Sequence, residues 1–202
     1  MNPKALFQIP YGLYLLSARE QDFDNACIIN TLSQVTDSPN RISVCVSRKN
    51  LTCDMILHTG ALTVSMLSRE APYALFRRFG FQSGRETNKF QGFGSVIRTQ
   101  NGLLRLTEYT NAFVSGSVCS SVDLGSHILF IADLTDAGIL CEEPTMTYSD
   151  YHSYVKPKRP AEEAPKSGYR CKICGYVYEG ETLPEDFVCP VCKHGAQDFE
   201  RI

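Results

Sequence analysis

The chain has 202 residues, 43% hydrophobic and 21% charged, which suits one ordinary domain plus a small one and excludes disorder throughout. Twenty Lys and Arg against 22 Asp and Glu leave a formal charge of −2 at pH 7. That balance lacks the basic excess with which proteins coat nucleic acid or an anionic membrane surface. No run of about 18 apolar residues is present to span a bilayer. Neither nucleic acid nor membrane is therefore an expected partner.

From the N-terminus, Ile9–Leu16 is broken by Pro10 and Gly12 and followed by Arg19 and Glu20, which reads as a strand rather than a secretory signal. Strands are predicted over Leu13–Ser17, Cys27–Leu32, Ile42–Val46, Leu62–Met66, Leu103–Leu106, Ala112–Ser120 and His127–Leu134. Turn signals separate them: Asp37-Ser38-Pro39-Asn40, Gln100-Asn101-Gly102, Gly125 and Gly138. Asn50 or Thr52 can cap a short helix that runs through His58 and stops at Gly60, and Pro72 can open a second that runs through Phe79 to Gly80. Many strands with two short helices predict a mainly β fold, a barrel with helical decoration. The stretch 156–168 holds three Pro and six charged residues among its 13 and predicts an extended tether. The expected organisation is thus a domain over 1–155, a linker over 156–168 and a small domain over 169–202.

Nine cysteines are present. Cys27, Cys45, Cys53, Cys119 and Cys141 stand singly, an odd number that fits buried thiols in a reducing cytoplasm better than a disulfide framework. The other four form two C-x-x-C pairs, Cys171/Cys174 and Cys189/Cys192, fourteen residues apart. Paired turns of this kind set four thiolates at the corners of a tetrahedron, and charges so close need a metal between them. Tetrahedral S₄ suits both zinc and iron, so a structural zinc ribbon is the alternative to a redox centre. Two features of the residues favour iron. Tyr169, Tyr176, Tyr178, Phe187 and Phe199 supply an aromatic, low-dielectric shell, and 166–202 carries five basic against six acidic residues, no surface for nucleic acid. In addition, Cys-x-x-Cys-Gly-Tyr-x-Tyr with Cys-Pro-x-Cys and Asp198-Phe199 resembles rubredoxin over the last 35 residues. The spacing between the pairs is shorter than in free rubredoxins, and Phe187 stands where they commonly carry Trp.

A one-electron metal becomes useful beside a group that accepts electrons in pairs and releases them singly, which is flavin chemistry. No G-x-G-x-x-G follows a strand, so a Rossmann domain is not supported. Asn30 to Thr36 offers amides and hydroxyls able to bond a flat polar ring, or is simply a strand end rich in turn formers. Ser47 to Thr52 offers hydroxyls, a cation and helix N–H groups for a phosphate, or is an ordinary helix cap. Arg77 to Arg85 is basic, aromatic and Gly-rich, or is an exposed helix end.

Together these segments resemble the flavin-reductase-like FMN-binding split barrel. The matching pieces are Cys27-Ile-Ile-Asn30-Thr31 with Gln34-Val35-Thr36, Ser47-x-Lys49-Asn50-x-Thr52, and Phe79-Gly80-Phe81-x-Ser83-Gly84-Arg85 with Lys89-Phe90. Asp123-x-Gly125-x-His127, leading a strand, completes the match. Ala26 departs from the Gly common before the Cys. The resemblance implies FMN held noncovalently in a homodimer. Asn30, Thr31, Gln34, Val35 and Thr36 would face its ring and ribityl chain. Ser47, Lys49, Asn50 and Thr52 would bind its phosphate, with Ser83, Gly84, Arg85 and Lys89 closing over it. His127 is the candidate catalytic group near the nicotinamide of NADH or NADPH, or else a core histidine; His58, His152 and His194 read as structural or exposed. Tyr148-x-x-Tyr151-His152 reads as a packed tail of the barrel. Barrel and rubredoxin together resemble the high-molecular-weight rubredoxins. That implies electrons passing from NAD(P)H through FMN to an iron held by the four cysteines, and on to a flavodiiron oxygen or nitric oxide reductase. The alternatives are a carrier without its own NAD(P)H site and a flavin-binding scaffold with a structural zinc ribbon.

Overall fold

A computed structural model describes residues 2–157 and 168–202. The expected tether over 156–168 falls, apart from Lys156, Pro157 and Gly168, outside the described residues. The large sheet is antiparallel throughout, with seven strands ordered β2-β1-β5-β8-β9-β4-β3. These are β1 (Tyr14–Glu20), β2 (Phe23–Ile29), β3 (Ser33–Asp37), β4 (Asn40–Ser47), β5 (Ala61–Leu67), β8 (Thr110–Asp123) and β9 (His127–Ile139). β6 (Val96–Arg98) and β7 (Leu104–Leu106) form a separate ribbon. Helix α1 (Leu51–Thr59) follows β4, and α2 (Tyr73–Gly80) follows β5. No helix among the described residues is long and apolar enough to cross a membrane.

The period-two pattern explains how one sheet serves two cores. In β4, Ile42, Val44 and Val46 point inward while their neighbours are only half-buried. In β1 and β2 both faces are covered. Leu16, Ala18, Cys27 and Ile29 join Val44, Val64, Phe130 and α1's Cys53, Met55 and Ile56 in one cluster. On the other face, Leu13, Leu15 and Ala26 pack beneath Leu75, Phe76 and Phe79 of α2. Burying each such aliphatic or aromatic side chain stabilises the fold by roughly 1.5–3 kcal/mol. The expected tail 148–155 is helical, and Tyr151 is buried there with its ring 4.6 Å from that of Phe76.

The structure is mainly β, as the sequence predicts, and it differs in particular elements. β3 is a strand where the residues alone predict only polar ring-binding or turn groups: all five of its residues are exposed, so no burial pattern marks it. It is an edge strand, paired only with β4 and irregular between Gln34 and Thr36. β2 starts at Phe23 rather than Cys27, because a tight turn with Gln21 at φ 54° folds it directly back on β1. α1 ends as expected, with Gly60 at φ 67° donating its N–H to the Ile56 carbonyl over 2.9 Å.

A third core belongs to the C-terminal module. β10 (Tyr169–Cys171) lies between β11 (Val177–Tyr178) and β12 (Phe199–Arg201). Cys171, Cys189, Cys192 and Phe199 are buried there among Tyr169, Tyr176, Tyr178, Leu183 and Phe187, and Phe81 from the large domain packs against the same cluster.

Phe130 is 1% exposed at the centre of the main core. Phe130→Ala is expected to lower stability by about 3–5 kcal/mol, read as a fall in the urea midpoint with unchanged slope.

Candidate redox site

The two C-x-x-C segments fold as matching knuckles. In the first, Gly175 donates its N–H to the Cys171 carbonyl at 2.9 Å; in the second, Lys193 does the same to Cys189, also at 2.9 Å. Each knuckle requires a left-handed residue just past its second cysteine, Gly175 at φ 79° and Lys193 at φ 61°. Cys171 N–H donates to the Tyr176 carbonyl at 2.7 Å and Cys189 N–H to that of His194 at 2.8 Å, which closes each knuckle on itself. All four Sγ atoms lie within 4.8 Å of one another, with Cys171–Cys192 and Cys174–Cys189 each at 3.5 Å. A tetrahedral ion with bonds of about 2.3 Å sets its sulfurs roughly 3.8 Å apart, so the donor set fits one four-coordinate ion.

Electrostatics require that ion. Burial pushes the Cys174 thiol up to about 11 and drives Cys192 still further upward, against the pull of N–H groups from Tyr176 and His194 on their sulfurs. Cys189 is pulled the other way: burial opposes its ionisation, but hydrogen bonds from the N–H groups of Cys192 and Val191 outweigh it. A bound cation lets all four ionise together. Val188 and Val191, either side of the buried Cys189, are 53% and 40% exposed.

A cleft of about 260 Å³ lies beside this centre. Lys49, Asn50, Thr52, Ser83, Gly84 and Lys89 all line it, so the structure gathers six of the expected cofactor residues in one place. The start of α1 contributes Asn50 and Thr52, where unpaired helix N–H groups favour an anion. Lys89 is 4% exposed; its Nζ donates to the carbonyls of Ala26 at 2.9 Å and Phe79 at 3.0 Å, which leaves one donor unspent. Burial lowers its pKa. Asn25, which no sequence motif singles out, is 1% exposed on the same wall. Its Nδ2 donates to Thr52 Oγ1 at 2.9 Å and its Oδ1 has no partner. An orphaned acceptor beside lysines and a helix start suits a ligand carrying both hydroxyls and phosphate, as the flavin mononucleotide tail does.

The remaining expected residues lie elsewhere. Thr31 Oγ1 donates to the Cys45 carbonyl at 2.7 Å and accepts the Cys45 N–H at 3.1 Å, clasping β4. Asn30 is half-buried just after β2. Gln34 lines a separate, mostly apolar cavity of about 460 Å³ with Tyr14, Leu32, Val114 and Leu134, and the two cavities share no residue. Val35 is exposed, and Thr36 Oγ1 donates to the Pro39 carbonyl. Ser47 Oγ accepts the Lys49 N–H at 3.3 Å, and Arg85 pairs with Asp54 of α1 at 2.6 Å. His127, exposed at the start of β9, lies opposite Ser47 in the ladder with Nδ1 2.9 Å from Ser126 Oγ and lines neither cavity. The cleft also takes Cys192, Lys193, His194 and Gln197 from the small module. Nothing local in sequence marks those as its walls, since they lie more than a hundred residues from Lys49.

Residues 6–155 match the flavin reductase like domain, and residues 169–200 match the rubrerythrin, rubredoxin-like domain. The chain therefore belongs to the flavin reductase-like family and carries a rubredoxin-type four-cysteine iron site, which defines a flavin-linked electron-transfer protein. It is 35% identical, over the whole of both chains, to the high molecular weight rubredoxin of Moorella thermoacetica. It is 33% identical to the ferric-chelate reductase (NAD(P)H) of Archaeoglobus fulgidus, across 79% of this chain and 94% of that one. Among solved structures, the Streptomyces globisporus NADH:FAD oxidoreductase SgcE6 shares the fold, with a TM-score of 0.66 over 73% of this chain and 86% of that one at 15% identity.

A Cβ on Gly84 would sit 2.4 Å from Asn25 Oδ1. Gly84→Ala is expected to disturb the Asn25–Thr52 bond and lower stability by about 1–2 kcal/mol. Most of that loss should disappear in an Asn25→Ala background, as a double-mutant cycle of unfolding midpoints would show.

Proposed function

We propose that this chain is an NAD(P)H-dependent FMN and iron oxidoreductase whose large domain is loaded by NADH or NADPH and whose small domain delivers single electrons to a redox partner such as a flavodiiron oxygen or nitric oxide reductase. The observation that carries this reading is Cys192. It is one of the four metal ligands and lines the same cleft as Lys49, Asn50, Thr52, Ser83, Gly84 and Lys89, so a flavin seated there lies beside the iron centre. When bound, FMN accepts a hydride and releases electrons one at a time, and the four-cysteine iron carries them singly.

The chain's own residues set the conditions for that exchange. The α1 start with Lys49 and Thr52 binds the phosphate, Ser83 and Gly84 close over it, and Lys89 fixes the middle of β2 at Ala26 beneath. Asn30, Thr31, Gln34, Val35 and Thr36 are assigned to the ring side, and His127 to the nicotinamide, on the family resemblance alone, since Gln34 lines the separate apolar cavity and His127 lines neither. Phe81, packed on the cysteine cluster, excludes water between the two halves. The large domain pairs as a homodimer.

Cys174→Ser separates the two halves of this function. With FMN supplied in excess, anaerobic NADH or NADPH should still bleach the flavin of the variant, while iron falls below stoichiometry and reduction of a flavodiiron acceptor is lost. Undiminished delivery by the variant, or stoichiometric zinc in place of iron in a colourless native centre, contradicts the relay.

A further inference from the structure

The cofactor cleft is built from both ends of the chain. Lys49, Thr52 and Lys89 come from the large domain, and Lys193, Gln197 and Asp198 come from the iron module. Among the described residues, three buried side-chain polar atoms lack a hydrogen-bond partner, and two of them, Asn25 Oδ1 and Asp198 Oδ2, belong to residues lining this cleft, one from each module. Buried acceptors without partners are costly, so one in each wall of the same cleft points to a ligand that brings donors and settles the two walls around it. Three lysines, 49, 89 and 193, meet two carboxylates, Glu86 and Asp198, around the same space. The surplus cations suit a phosphate and the acceptors suit hydroxyls.

Lys193 adds a further sign. The first knuckle fills its left-handed position with Gly175, the residue that takes φ > 0 at no steric cost, whereas the second uses a lysine at φ 61°. Lys193 thus carries a charge into the cleft from a position that glycine fills in the other knuckle.

We propose that the iron module forms the second wall of the flavin site: Lys193 binds the ribityl phosphate opposite Lys49, and Asp198 and Asn25 accept hydrogen bonds from the ribityl hydroxyls. This rests on the flavin reading of the cleft. It makes the bound cofactor a bridge between the two modules.

The test uses the full chain, stripped of flavin but loaded with iron. FMN and riboflavin are titrated by quenching of flavin fluorescence in the wild type, Lys193→Gly, Lys193→Glu and Lys193→Arg. Lys193→Gly preserves the knuckle conformation, and the visible absorbance of the iron centre checks that it does. FMN affinity is expected to fall about tenfold in Lys193→Gly, as for loss of one charge-assisted contact, and further in Lys193→Glu. Lys193→Arg should restore most of it, and riboflavin, which lacks the phosphate, should bind all four alike. Equal FMN affinity in wild type and Lys193→Gly, with iron retained, overturns the shared wall. A loss confined to the KM for NADH or NADPH assigns Lys193 to the phosphates of the nicotinamide cofactor and also overturns it. Absence of any FMN binding by the wild type instead removes the flavin reading beneath it.

Discussion

Repulsion among four sulfur atoms is the constraint around which the rest of the molecule is arranged. Thiolates held within 4.8 Å of one another in a buried pocket cannot coexist without a cation, and burial alone drives Cys174 and Cys192 toward the neutral form. The two knuckles prepare for the ion by aiming backbone N–H groups at sulfur and by locking each cysteine pair into a turn. What surrounds them is accordingly apolar and aromatic. Phe187 lies 4.7 Å from Tyr178 and 5.4 Å from Phe199, ring centroid to ring centroid, which fills the module with rings where a chain this short has little else to bury. The metal is therefore part of the folding energy of the small module as well as its redox function.

The barrel solves a different problem by similar means. Because β1 and β2 are covered on both faces, they can hold α1 against one core and α2 against the other, and the polar ends of both helices emerge beside a single cleft. Asn25 shows how tightly this is drawn. It sits in β2 between the two cores, bonds Thr52 at the start of α1, and abuts Gly84 in the loop beyond α2. One amide thus sets three segments of the polypeptide in register around the cleft.

How much of this can be read from residues alone depends on whether the signal is local. The alternation of Ile42, Val44 and Val46, the stop at Gly60 and the spacing of Cys171, Cys174, Cys189 and Cys192 are local, and each is visible in a few consecutive residues. β3 is not legible, because a fully exposed edge strand has no inward face to pattern. Neither is the separation of Gln34 from Lys49 into different cavities, since both lie on polar stretches that look alike in composition. The walls supplied by Asn25 and by Lys193 depend on tertiary packing between distant segments. Only the unusual lysine in a glycine's place, after Cys192, leaves a trace in the sequence, and its meaning emerges only beside Gly175 in the folded knuckles.

Val188 and Val191 give the module a direction. They flank Cys189, stay open to solvent, and neither lines the cleft into which Cys192 faces. In the relay proposed above, charge would arrive on one side of the ion and depart across a greasy threshold on another.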